Sequence, residues 1–167
     1  MNLYVIRHGE AAAIGGAVKR DVERPLTEKG QSDAKILGEA LSRHDPQVGL
    51  ILCSPFHRAR QTAETVAACF SMRPKVSETE HLAPGFRPKP LLEELSALAP
   101  EGSAAIIGHQ PDLTMFIAYV IESESAASIT MPPAAVAKVT FAAGPTSEAS
   151  LQWLLNPEIL RQILPPR

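Results

Sequence analysis

Four residues of this chain have types suited to capturing an oxyanion: Arg7, His8, Arg58 and His109. A neutral imidazole is a nucleophile that can carry a covalent intermediate. A guanidinium presents a planar fork of donors matched to phosphate oxygens. Arg7 and His8 are adjacent in Val5-Ile6-Arg7-His8-Gly9-Glu10, and the simplest chemistry for that stretch is phosphoryl capture on His8. Gly9 lets the chain turn sharply and lets a ligand approach the backbone.

The elements around these residues place them. The apolar run Leu3–Ile6 reads as a buried strand over residues 2–7, ending in Arg7-His8. Residues 11–24 read as an irregular loop, and a loop of that length in a compact domain is often functional. Thr27 is an N-cap for a helix over about 28–43, with Ala34, Leu37, Ala40 and Leu41 on one face. Val48–Cys53 is a second strand. Ser54-Pro55 after it predicts a helix start, serine as cap and proline at the first helical position. That helix buries Ala59, Ala63, Val66, Ala67 and Phe70, and Arg58 lies off the stripe about one turn in.

Lys75–Ser77 reads as a short strand and Glu78–Pro90 as a surface connection rich in Pro and Gly. Leu91, Leu92, Leu95 and Leu98 predict an amphipathic helix closed by Pro100 and Gly102. Ala104–Ile107 is a third buried strand ending in Gly108-His109, followed by a helix from Pro111-Asp112 that buries Leu113, Phe116, Ile117 and Val120. After a polar loop over 122–135, Val136–Phe141 alternates as an edge or half-exposed strand. Leu151–Leu155 is a last strand, and Asn156-Pro157-Glu158 starts a terminal helix that stops at Pro165-Pro166. Strands alternating with helices predict an α/β fold, a three-layer α/β/α sandwich on a mostly parallel sheet, formed by one domain over 1–167. Right-handed crossovers bring the three strand ends to one edge, where open α/β sheets place their sites. Helix starts after Ser54 and Gln110 would add backbone N–H donors there.

Composition excludes several classes. A net charge of −2 gives no overall basic field for nucleic acid. Cys53 and Cys69 cannot form a disulfide framework and read as reduced, packed thiols. Arg7 precedes any long apolar segment and no run reaches membrane-span length, so a cytoplasmic protein without membrane contact is expected. The 5 histidines show no metal-ligand spacing, and no metal or other cofactor is expected. A cysteine-phosphatase loop fails from Cys53, because its arginine position holds Ala59.

Ile6-Arg7-His8-Gly9-Glu10, Arg24-Pro25-Leu26-Thr27, the run from Ser54 to Thr62 and Gly108-His109, in that order, resemble the histidine phosphatase superfamily (phosphoglycerate mutase-like). The short length and the Arg-Pro-Leu-Thr element resemble its SixA-type branch of small protein phosphohistidine phosphatases. The resemblance implies that His8 becomes transiently phosphorylated, that Arg7 and Arg58 bind the phosphoryl oxygens, and that His109 completes the pocket as an imidazolium. It leaves Arg24 with two readings, a phosphate contact or a brace for the loop. Glu10 either tunes the site or holds the turn. His44, His57 and His81 read as solvated or structural.

Many larger members carry a glutamate proton donor after the second helix. The matching stretch here, Leu82-Ala83-Pro84-Gly85, has no carboxylate. A labile phosphorus–nitrogen bond needs less acid assistance than an alkoxide, so the resemblance implies a phosphohistidine on a phosphorelay protein as substrate. Rival readings are a small-molecule phosphomonoesterase with the same chemistry, a mutase, and a non-catalytic module that binds phosphoproteins.

Overall fold

Strand β1 (Asn2–Arg7) sends Leu3 and Val5 to one side of the sheet and Tyr4 and Ile6 to the other, all fully buried. A strand buried on both faces needs helices on both. On the Leu3/Val5 side lie α3 (Pro88–Leu98) and α4 (Asp112–Val120), through Leu91, Leu95, Phe116 and Ile117. On the Tyr4/Ile6 side lie α1 (Glu28–His44), α2 (His57–Ala67) and α5 (Pro157–Ile163), through Leu37, Ala63, Val66 and Leu160. The result is the expected three-layer α/β/α arrangement. The computed structural model describes residues 1–16, 18–98, 102–123 and 129–164. The expected stops at Pro100 and at Pro165-Pro166 lie outside the described residues.

The remaining strands are β2 (Val48–Cys53), β3 (Lys75–Glu78), β4 (Ser103–Gly108), β5 (Val136–Phe141) and β6 (Ala149–Leu155). They lie in the order β3-β2-β4-β1-β5-β6. The β1–β4, β2–β4 and β2–β3 pairs are parallel, and β5 and β6 join antiparallel. Arg7 stands opposite Gly108, and the ladder runs on past the strand ends: His8 N–H donates to Gly108 O at 3.2 Å and Ser54 N–H to Ile107 O at 2.9 Å. Backbone register therefore sets the starts of all three site segments side by side.

Of the two placements expected for β5 the half-exposed one holds: it is an interior strand between β1 and β6 with Lys138 and Thr140 half-buried, and β6 takes the edge. Its alternation has a local cause: Lys138 lies over the Tyr4 ring at 5.9 Å, a cation–π contact that accommodates a charge inside the sheet. The Glu78–Pro90 segment is not simply a surface connection. It contains a 3₁₀ turn at Glu80–Leu82 whose Leu82 is fully buried, and α3 begins within it at Pro88.

Candidate active site

The turn after β1 is held from several directions. His8 Nδ1 lies 2.7 Å from the Gly9 carbonyl, which can only accept, so Nδ1 carries the proton and Nε2 keeps its lone pair. Gly9 N–H donates to Thr62 Oγ1 at 3.1 Å, and Thr62 donates on to the Arg58 carbonyl at 2.7 Å. Gly9 thus spends its backbone N–H and carbonyl on the fold in the ligand-free structure. Its lack of a side chain serves α1, because a Cβ would meet Gly30 O at 2.7 Å. Gly30 is bound as tightly from the other side, its own Cβ position lying 2.1 Å from Glu10 O. Glu10 holds the turn: its carbonyl accepts from Thr27 N–H at 2.9 Å and its carboxylate from Thr27 Oγ1 at 3.0 Å. Thr27 caps α1 as expected, accepting from Gly30 N–H.

Helix α2 starts two residues later than the Ser54-Pro55 signal predicts, at His57, with Phe56 in the cap position. Ser54 is drawn off by the site. Its Oγ accepts from Phe56 N–H at 3.3 Å and lies 2.8 Å from His109 Nε2. The shift places Arg58 in the first turn rather than one turn in, with its side chain only 6% exposed.

Arg58 Nε donates to His8 Nε2 at 3.0 Å, and its Nη2 lies 3.3 Å from His109 Nδ1. A guanidinium can only donate, so His109 Nδ1 accepts and Nε2–H points to Ser54. The two imidazole centroids are 5.0 Å apart, and Phe56 closes the far side of His109, also at 5.0 Å. Arg7 donates from Nη1 to Met131 O at 2.8 Å, while its Nε is buried without a partner. Three of the four candidates, His8, Arg58 and His109, are in direct contact, and Arg7 adjoins them through the chain.

Burial pushes His8 down to about 4; the hydrogen bond to the Gly9 carbonyl opposes it, and the Arg58, Arg7 and Arg24 guanidiniums add smaller downward effects. Burial, then His8 and Arg58, push His109 down to about 3. In the ligand-free site, burial and the neighbouring His8 and Arg58 favour the neutral ring of His109; the expected imidazolium belongs to the occupied site. An arriving dianion would reverse the sign of that environment.

These values set a pH prediction. Both imidazoles are ordinarily half-protonated near 6.5 when unfolded but resist protonation in the fold down to about 4 and about 3. Between those limits the unfolded chain binds more protons, so stability will fall as pH drops from about 6.5 toward 4. NMR of the ring nitrogens should show His8 neutral, protonated on Nδ1, throughout pH 5–8. A His8 ring titrating near 6.5 would contradict the geometry.

Arg24 braces the loop: Nε donates to Ala12 O and Nη2 to Ala11 O, while Nη1 pairs with Asp21 Oδ1 at 3.0 Å. Its charge still contributes to holding His8 down. Asp21 was not foreseen. It sits in a loop with no periodicity to mark it, and its Oδ2 reaches Arg58 Nη2 at 3.1 Å. Ser54 and Thr62 were likewise missed, the first because it reads as a cap. In and after β3, Glu78 pairs with Arg60, and Glu94 holds Thr79 and His81. His44 packs edge-on against Tyr4 and Trp153, a structural place. Among the described residues no cluster of three or more His, Cys, Asp or Glu is arranged to hold a metal.

An imidazole with Nε2 left as an acceptor, two guanidiniums and a second imidazole at the carboxyl edge of parallel strands define the class. The family model described as the histidine phosphatase superfamily (branch 1) matches residues 3–83, and the chain belongs to that superfamily. It is 28% identical over 159 residues to the phosphohistidine phosphatase SixA of Escherichia coli (strain K12), covering 94% of each chain. It is 38% identical over 115 residues, 68% of each chain, to an uncharacterized protein of Picosynechococcus sp.. Among solved structures, the protein histidine phosphatase SixA complexed with tungstate superposes with a TM-score of 0.83 at 27% identity, over 96% of this chain and 99% of that one.

Proposed function

We propose that this protein is a phosphatase that hydrolyses phosphohistidine on a phosphorelay protein, with His8 as the residue transiently phosphorylated. The observation that carries the reading is the state of His8: neutral, fixed in the tautomer that leaves Nε2 as nucleophile, and surrounded by cations. Nε2 attacks phosphorus in line as the substrate's phosphorus–nitrogen bond breaks. The electron pair goes to the departing imidazole, which takes its proton from solvent. Water then attacks the phosphorylated His8, the new phosphorus–nitrogen bond breaks, and inorganic phosphate leaves with the imidazole restored. Arg7, Arg58 and His109 stabilise the charge spread over the equatorial oxygens, which is most of what phosphoryl transfer requires.

The likeness to SixA over nearly the whole chain supports the protein-borne substrate. So does the absence of a carboxylate in Leu82–Gly85, since an alkoxide would need an acid and an imidazole does not. In this reading residues 1–167 act as one catalytic domain in the cytoplasm; no helix among the described residues is long and apolar enough to cross a membrane. The test compares phosphate release from a phosphohistidine-bearing phosphotransfer protein with release from sugar phosphates. The expected kcat/KM preference for the protein is about 10²-fold or more, the size of a missing general-acid contribution. Equal or greater turnover of the sugar phosphates would transfer the assignment to a small-molecule phosphomonoesterase.

A further inference from the structure

Asp21 makes contacts that the proposed chemistry does not use. Its Oδ1 accepts from Arg24 at 3.0 Å and its Oδ2 from Arg58 at 3.1 Å, while its carbonyl accepts from Arg58 Nη1 at 2.8 Å. With Nε on His8 and Nη2 also near His109, every nitrogen of the Arg58 guanidinium is engaged. Two consequences follow. The Nη edge of the fork that would grip phosphoryl oxygens is occupied by one carboxylate oxygen and the backbone carbonyl of Asp21. The lone pair of His8 Nε2, the only one a neutral imidazole with a protonated Nδ1 offers, is covered by the Arg58 Nε–H. In this arrangement the nucleophile cannot attack.

We propose that Asp21 is a positioning residue that stands in for the phosphoryl group in the resting enzyme, clamping Arg58 over His8 Nε2 until an incoming phosphoryl group displaces it. The proposal rests on the reading of the site as a phosphatase. A dianionic phosphoryl group carries more charge and more acceptor oxygens than a carboxylate, so it displaces that of Asp21. As the Asp21 carboxylate lets go, Arg58 turns Nη2 and Nε to the phosphoryl oxygens, Nε leaves His8 Nε2, and Nη1 stays on the Asp21 carbonyl. Substrate binding thereby exposes its own nucleophile, a form of induced fit. The Asp21 side chain is 45% exposed and lies in the 3₁₀ turn Asp21–Glu23, which buries no residue, so it can rotate outward without opening the core. The same competition acts on the product, since Asp21 helps to expel inorganic phosphate by reclaiming Arg58.

The test measures inorganic phosphate binding to the full chain by calorimetry, and phosphate inhibition of turnover, in wild type, Asp21→Asn, Asp21→Ala and Glu23→Gln. Glu23 removes the same charge from the same turn, but its partner is the exposed Arg20. Asp21→Asn and Asp21→Ala should bind phosphate about tenfold more tightly, with inhibition strengthened in parallel, while Glu23→Gln stays near wild type. A merely structural role for Asp21 would loosen the site and weaken binding, the opposite sign. Unchanged or weaker phosphate binding in both Asp21 variants, or an equal gain in Glu23→Gln, overturns the displacement. Failure of the wild type to bind phosphate at all would instead overturn the phosphatase reading itself.

Discussion

His8→Ala will form no acid-labile phosphoenzyme from a labelled phosphodonor, and its turnover will fall by about 10⁴-fold or more, as expected when the nucleophile of a covalent mechanism is removed. The structure makes this loss specific. His8 is the one imidazole whose tautomer is fixed by a backbone carbonyl, with Nε2 turned to a guanidinium. His109, 5.0 Å away by ring centroid, is no substitute, because its ring is oriented the other way, with Nδ1 toward Arg58 and Nε2 held at 2.8 Å from Ser54 Oγ. The fold should survive. His8's backbone bonds to Gly108 and Ala134 do not depend on its side chain, and alanine removes a buried imidazole that resists protonation. Circular dichroism and a melting curve would verify this. An adduct of undiminished yield in His8→Ala would falsify the mechanism.

Arg58→Ala carries the second largest effect, a fall in kcat/KM of about 10³-fold, comparable to removing a preorganised donor aimed at developing charge. The loss has three parts. The guanidinium fork no longer reaches the equatorial oxygens, His109 loses the donor that sets its tautomer, and Asp21 is left paired with Arg24 alone. Arg58→Lys separates charge from geometry. A lysine at this buried first-turn position keeps the cation but has no Nε–H and no planar fork, so it should recover little of the activity. Single-turnover measurements would place the defect in phosphorylation of His8. If Arg58→Lys retained wild-type kcat/KM, the pocket would be acting through net charge and the planar fork of Arg58 would be irrelevant.

The two effects have different origins in the chain. Arg7 and His8 are legible locally: an apolar run breaks into charge and glycine, and such a break marks a strand end. Arg58 is legible as a residue near a helix start, but its place in the first turn is not. Local capping rules favour a helix beginning at Ser54-Pro55, whereas the observed start is His57. A partner 55 residues away explains the difference, because Ser54 Oγ is held at 2.8 Å from His109 Nε2. Gly30 shows the same limit. In sequence it is an unfavourable residue inside a helix; in the fold it is where α1 rests against the Glu10 carbonyl, leaving no room for a Cβ.

Asp21 lies furthest from sequence reading. Nothing in the run Lys19-Arg20-Asp21-Val22-Glu23-Arg24 distinguishes its carboxylate from that of Glu23. Only the bracing of Arg24 on Ala11 and Ala12 turns Asp21 toward Arg58, 37 residues on, while Glu23 faces Arg20 and solvent. Likewise the alternating pattern of β5 could not say whether the strand was at the edge, because a cation over an aromatic ring satisfies the same pattern in the interior.

Amino-acid order alone therefore determined the strands, most of the helices, the α/β layering and the four residues able to hold a phosphoryl group, since these follow from apolar periodicity and from chemistry carried within a few neighbouring residues. Tertiary structure decided which His109 nitrogen faces Arg58 and which faces Ser54, the exact helix start that aims Arg58, and the carboxylate set against it. Those depend on burial and on contacts between segments tens of residues apart, where electrostatic environment and packing, rather than local pattern, set the outcome.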